Sequence, residues 1–388
     1  MDIALPKRKK ITSLSFAHLI NDWYMNYIQT LLPFLVISGL QVSRAAFLIS
    51  AFTVTSSLLQ PVFGYMVDKK NQRWMVYVGT VWMAVLMSLL GVIQNYGLLL
   101  AVAALAGLGT AAFHPQASAL VSAVSGNKKG FFQSCFTAAG NIGWALTPLM
   151  VVPFVQKYGL SKTPLFMVPG IFAAILLWFS APRLAVREKF SSLPLLPILK
   201  ESWRELSKLV VVVAFRSLAY FGLIAFLPLY LHKVNISLIT GSRLLFVMLF
   251  SGAMGGILEG FLSDRIGRKP VIAGSLIMAS PLFYLFLNTS GMLSYVLLAM
   301  AGAALLASFS VTVVVAQEII SKNAAMASGL MLGFGIGVGG LGVGLVGILA
   351  DHLGLVFSVN LLIWLPLLAG LFALLMKVAK HLPAGLNE

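Results

Sequence analysis

The amino-acid sequence predicts an all-α membrane protein, with twelve transmembrane helices in two pseudo-symmetric six-helix bundles. Three observations point there. The 388 residues are 59% hydrophobic and only 10% charged, against roughly 25% charged in soluble domains. Twelve apolar runs reach the ~20 residues that span a bilayer. A short polar motif recurs once in each half of the chain. A soluble fold of this length could not hide so much apolar surface, so lipid is the solvent for much of it.

The runs fall at about 12–38, 43–66, 74–94, 97–123, 131–155, 163–181, 208–231, 240–262, 270–288, 292–318, 324–350 and 355–377. Lys7, Arg8, Lys9 and Lys10 ahead of the first run give the outline of a signal peptide. That run, however, contains Asp22, extends to about Leu40 and lacks a small-residue cleavage site. It is read as the first span. An even number of spans puts both termini on one side. With the termini in the cytoplasm, inside segments hold 21 Lys and Arg and outside segments hold 5, with Arg216 inside a span. This bias orients both termini inward across a bacterial inner membrane. The net charge of +16 therefore reports topology, and no nucleic-acid partner is expected. The single cysteine, Cys135, lies in an apolar run, so an internal disulfide is excluded.

The longest polar segment follows span six and divides the chain into a bundle at 1–181, a cytoplasmic linker at 182–207 and a second bundle at 208–388. Gly64-Tyr-Met-Val-Asp68-Lys69 recurs as Gly260-Phe-Leu-Ser-Asp264-Arg265, offset by 196 residues. Both copies end an even-numbered span. Two copies of one bundle joined by a linker suit a rocking, alternating-access carrier for a small-molecule solute. A monomer in the lipid bilayer is expected.

Gly260-x-x-x-Asp264-Arg265-x-Gly267-Arg268-Lys269 resembles the cytoplasmic loop signature of the major facilitator superfamily. The first copy keeps Gly64 and Asp68 but then departs from the Gly-Arg-Arg ending, reading Lys69-Lys70-Asn71-Gln72-Arg73. Four further stretches are similar to the fosmidomycin-resistance group of that superfamily: Ala17-His18-x-x-Asn21-Asp22, Phe113-His114-Pro115, Phe215-Arg216-Ser217-x-x-Tyr220-Phe221-Gly222, and Ala316-Gln317-Glu318 followed by Met326-Ala-Ser-Gly329. The resemblance covers nearly the whole chain. It implies the major facilitator fold, with spans one, four, seven and ten lining the cavity, and an efflux carrier working as a proton-driven antiporter.

Charges inside the spans are the candidate site. Asp22 lies ~10 residues into span one, about 15 Å deep at 1.5 Å per residue. Intramembrane acids are functional by default, and a carboxyl that takes up and gives off a proton as access alternates would couple transport. The alternative is a hydrogen-bonded packing residue. His18 is one turn earlier on the same face. His114 reaches a similar depth in span four, so the resemblance sets it opposite Asp22. These three form the expected proton-coupling group. Arg216 lies ~8 residues into span seven, nearly the repeat equivalent of Asp22. It is expected to hold an anionic solute by charge-assisted bonds, the alternative being a structural ion pair. Asn21, Tyr24, Gln116 and Tyr220 complete the expected substrate-binding set. Glu259 and Glu318 are expected near Arg265 and Arg268 as gating salt bridges, while Asp68 and Asp264 would cap the following helices.

Gly335-x-Gly337-x-x-Gly340 formally matches a dinucleotide fingerprint, but no strand precedes it. Close helix packing accounts better for it and for Gly252-x-x-x-Gly256-x-x-x-Gly260. Gly140, Gly143 and Pro148 suggest a bend in span five. No catalytic constellation, metal-ligand spacing or Walker loop is present. No enzyme activity, metal or cofactor is expected, and the drive is an ion gradient or the solute's own gradient. A proton-coupled or uncoupled importer of a metabolite such as an organic acid stays open beside the exporter. A membrane enzyme or sensor is disfavoured by the short polar segments.

Overall fold

The computed structural model describes residues 7–69, 72–125, 129–182, 195–320 and 324–376. Within these ranges the side chains of Asp68 and Asp264 and the surroundings of Gly260, all in the expected loop motif, fall outside the description, as do the side chains of Met326–Gly329. Helices α1 (Lys7–Met25) and α2 (Tyr27–Ile37) form the first run, and α3 (Val42–Leu58) and α4 (Gln60–Lys69) the second. Then follow α5 (Trp74–Leu89), α6 (Tyr96–Val124), α7 (Lys129–Tyr158), and a 3₁₀ turn (Leu160–Phe166) leading into α8 (Met167–Ser180). The second half comprises α9 (Leu195–Lys233), α10 (Leu238–Ile266), α11 (Arg268–Leu287), α12 (Met292–Ile319), α13 (Ala324–Leu353) and α14 (Leu355–Ala373). No strand occurs among the described residues. In lipid each backbone N–H must bond within its own segment, and helices meet that demand. Among the described residues ten segments are long and apolar enough to cross a membrane, and α5 is a shorter apolar helix. With the α1–α2 pair they match the twelve runs.

Two runs are interrupted. Asn26 takes φ −88° and ψ 0° between α1 and α2, and its amide donates to the Trp144 carbonyl of α7 at 2.9 Å. Between α3 and α4, Pro61 has no N–H to continue the α3 pattern. Helix α9 begins at Leu195, so the second part of the expected linker is helical and runs straight into span seven. Helix α7 is unbroken. Its glycines serve close approach: a Cβ on Gly143 would lie 1.9 Å from the Leu19 carbonyl oxygen of α1.

Large apolar side chains stay exposed on the outside, among them Phe172 and Phe179 of α8 and Ile257, Leu258 and Phe261 of α10. A soluble monomer would not leave so much exposed, whereas a lipid-facing wall requires it. Helices α1–α8 pack mainly on one another, as do α9–α14. The halves meet where α3 packs on α13, α7 on α10 and α2 on α9. The α3–α13 seam is built from small residues. A Cβ on Gly340 would lie 2.3 Å from Thr53 Cβ, and one on Gly347 would lie 2.6 Å from Ala46 Cβ. The Ser50 hydroxyl donates to the Gly340 carbonyl at 2.6 Å and accepts from the Gly344 N–H at 3.1 Å. At the end of the seam Asp351 accepts from the Ser43 N–H at 3.0 Å, so an acid of one half caps a helix of the other.

Candidate functional site

Helix α1 presents His18 and Asp22 one turn apart, and α6 brings His114 to them. His114 Nε2 is 2.9 Å from Asp22 Oδ1, and His18 Nε2 is 3.3 Å from Asp22 Oδ2. Side-chain exposures of 7%, 14% and 21% for His18, Asp22 and His114 rank His18 as the most enclosed. The second nitrogen of each ring meets a backbone carbonyl: His18 Nδ1 is 2.7 Å from the Phe136 oxygen and His114 Nδ1 is 3.2 Å from the Thr110 oxygen. The His18 ring stacks on Phe136 with centroids 3.9 Å apart and stands edge-on to His114 at 5.1 Å. Gly140 of α7 makes room for this, since a Cβ there would lie 2.4 Å from Asp22 Oδ2 and 2.5 Å from His18 Cε1. The three donor groups lie within 4.8 Å of one another, so they titrate as one unit. Among the described residues no other trio of His, Cys, Asp or Glu side chains converges this way.

Across the half boundary, Arg216 of α9 is only 3% exposed. Its guanidinium sits 4.6 Å from the Phe309 ring centroid of α12, a cation–π contact. Nη2 donates to Ser217 Oγ at 3.2 Å. Nε and Nη1 are buried without a hydrogen-bond partner among the described residues. Tyr220, one turn further along α9, lies within electrostatic range of both Arg216 and Asp22. The cation and the acid thus both act electrostatically on one tyrosine. Gln116 of α6 is buried, and both ends of its amide lack a partner among the described residues.

Asn21 and Tyr24 are turned elsewhere. Asn21 pairs with Thr80 of α5 at 3.5 Å and accepts from Thr110 of α6 at 3.2 Å. The Tyr24 hydroxyl donates to the Phe166 carbonyl and accepts from the Gly170 N–H at 3.1 Å. Successive helix residues are 100° apart, so Asp22's neighbours pack inside the first half rather than beside the acid. We therefore omit both from the ligand set.

Of the expected gating group, Arg268 and Glu318 come together. Arg268 donates Nε to Glu318 Oε1 at 3.1 Å and Nη1 to Ser263 Oγ at 3.0 Å. Arg265 instead lies over the Phe261 ring, 4.3 Å from its centroid. Glu259 faces Ser275 of α11, and its Oε2 is buried without a partner among the described residues. It lies six positions before Arg265, which puts the two on different faces of α10. Gly267, at φ +97°, makes the turn between α10 and α11, a conformation that suits glycine. Gly64 packs on Pro115 of α6, where a Cβ would find the proline Cβ at 3.8 Å. Sequence reasoning missed Phe136, Gly140, Phe309 and Ser50. Only Gly140 gave a signal, through its spacing with Gly143.

Similar proteins fit this architecture. The chain is 30% identical over 381 residues to the fosmidomycin resistance protein of Escherichia coli K12, covering 95% of this chain and 93% of that one. It is 27% identical over 234 residues to the multidrug resistance protein MdtG of Escherichia coli O9:H4, covering 59% of this chain and 53% of that one. A bacterial homologue of the human lysosomal transporter Spinster, in an inward-facing and unoccupied conformation, superposes with a TM-score of 0.81 at 17% identity, covering 95% of this chain and 96% of that one. A point mutant of the nucleoside transporter NupG gives a TM-score of 0.81 at 12% identity, covering 95% and 99% of the two chains. The family model of the Major Facilitator Superfamily matches residues 14–332, and the chain is a member of that superfamily.

Proposed function

We propose that this protein is a proton-coupled secondary transporter that exports a small anionic or drug-like compound by alternating access. One observation carries the reading: Asp22, held between two histidines in the first half, and Arg216, buried in the second with donors unpaired among the described residues, both act on Tyr220. The acid cluster loads and releases protons. The guanidinium holds an anion, aided by Tyr220 and Gln116. Export as the direction draws support from the resistance proteins to which the chain is similar.

The bundles at 1–181 and 208–388 rock against one another as the two domains, and the chain works as a monomer. Lys and Arg bias puts both termini in the cytoplasm, which makes the α3–α13 seam the outer contact and the cytoplasmic side the one from which the site is reached. Arg268 and Glu318 belong to the cytoplasmic gate, with Asp68, Asp264 and the motif glycines Gly64, Gly260 and Gly267 shaping the loops. A second reading, uptake of an organic acid together with protons, draws on the same cluster. Protonation makes the cluster more positive, and an anion then binds Arg216 more readily.

The test is transport in proteoliposomes under imposed pH gradients, screening phosphonates, organic acids and lipophilic drugs. One class triggers proton flux in the wild type and fails to do so with Asp22→Asn. Undiminished gradient-driven transport by Asp22→Asn would overturn the proposal.

A further inference from the structure

Carbonyl oxygens accept hydrogen bonds and never donate them. The Phe136 carbonyl at 2.7 Å and the Thr110 carbonyl at 3.2 Å therefore each require a proton on the Nδ1 that faces them. A neutral imidazole has one ring proton. With that proton fixed at Nδ1, the Nε2 of His18 and the Nε2 of His114 are both bare lone pairs. Both lie against Asp22, at different oxygens: His114 Nε2 is in hydrogen-bonding geometry with Oδ1, 2.9 Å away, and His18 Nε2 is within ion-pair distance of Oδ2, 3.3 Å away. A bare nitrogen this close to a carboxylate oxygen sets one negative centre against another. A single proton relieves one contact and leaves the other as it was.

We infer that the Asp22 cluster loads two protons, one on Nε2 of each histidine, and that His18 is the second proton site. This rests on proton coupling at Asp22. Loaded, the cluster is imidazolium, carboxylate, imidazolium, with net charge +1. Emptied, it is two neutral rings and a carboxylate, with net charge −1. A third proton on Asp22 would remove the one anion between two cations whose ring centroids are 5.1 Å apart, so two is the capacity. His18 is held for this task by means that do not depend on charge, namely the stacked Phe136 ring and the space left by Gly140.

The surroundings leave the charge balance to these three groups. From α7 the cluster meets the Phe136 carbonyl and Gly140, neither of which titrates. Helices α5 and α8, also packed on α1, bring no acid or base to the cluster among the described residues. From the other half α9 supplies Tyr220, within electrostatic range of Asp22, and Arg216, within electrostatic range of Tyr220. His114, the most exposed of the three, exchanges first, and His18 fills through the carboxylate.

The chain has only five histidines, so each imidazole can be followed by nitrogen NMR in the full-length protein in nanodiscs. From about pH 9 to pH 5, Nδ1 of His18 and His114 stays protonated while both Nε2 nitrogens change from bare to protonated, in a coupled manner. Proton uptake by the lightly buffered protein over that range falls by one per chain in His18→Gln and by two in His18→Gln/His114→Gln. If His18 Nε2 stays bare while His114 titrates, the two-proton capacity is overturned and coupling at Asp22 stands. If neither ring titrates, and Asp22→Asn takes up as many protons as the wild type, the coupling itself fails. The measurements on the wild type stand whether or not a variant folds.

Discussion

Replacing Arg216 by glutamine separates the two roles open to a buried cation. A cation in a structural ion pair leaves its partner uncompensated when removed, which costs about 3–5 kcal/mol. Arg216 has a different balance sheet. A guanidinium at mid-helix in a bilayer costs roughly 2.5–3.5 kcal/mol on insertion scales. The Phe309 face at 4.6 Å returns about 0.5–2 kcal/mol. The Ser217 bond at 3.2 Å returns about 1.5–3 kcal/mol, as a bond to a charged group. At mid-range these terms cancel to within about 1 kcal/mol, with Nε and Nη1 unpaired among the described residues. Arg216→Gln is therefore expected to unfold within about 2–4 °C of the wild type in detergent while losing transport of anions. Arg216→Lys keeps the charge but not the planar fork, and loses most anion selectivity. A fall in Tm of about 6 °C or more, equivalent to about 3 kcal/mol lost on this scale, would show that Arg216 holds an ion pair and would refute the anion-site argument.

Four other outcomes follow from the geometry. Asp22→Asn abolishes substrate movement driven by a pH gradient but spares downhill exchange of unlabelled for labelled substrate, which one proteoliposome preparation can compare. Gly143→Ala drives a methyl to 1.9 Å from the Leu19 carbonyl and destabilises by about 1–3 kcal/mol or more as α7 leaves α1, read by thermal unfolding; an unchanged Tm contradicts this helix contact. Ser50→Ala removes both seam bonds and weakens the α3–α13 seam by about 0.6–1.7 kcal/mol, so the thiol introduced by an added Ser43→Cys becomes several-fold more reactive to a polar thiol reagent. Arg268→Glu and Glu318→Arg each impair transport, and combining them restores part of it; a double variant no better than either single one would exclude a direct pair at 3.1 Å.

Depth was legible in the sequence, because depth is residue count times rise. That is how Asp22 and His114, 92 positions apart, could be expected at one level before any distance was known. Azimuth was not. Asn21 and Tyr24 flank Asp22 in sequence, and only the packing of α5, α6 and α8 on α1 decides that they turn inward. Linear order also cannot show a missing partner, so the open donors of Arg216 needed the whole surroundings. The Phe136 carbonyl that fixes the His18 tautomer lies 118 residues away and carries no side-chain signature. Gly140 and Gly143 suggested a bend because glycine marks both bends and contacts, and spacing alone does not separate them. The early start of α9 escaped notice because residues 195–207 are too polar to read as membrane, although Trp203, Leu206 and their neighbours form a helix that extends span seven.

The Ser50 hydroxyl sits between two groups, Gly340 C=O and Gly344 N–H, that are natural i and i−4 partners along α13. Helix α13 runs unbroken through both residues, so each group also has a partner within its own helix. In a carrier whose halves rock, withdrawal of α3 therefore strands neither the carbonyl nor the amide in lipid, and the seam is held by bonds that either half can lose without a buried polar group left unmet.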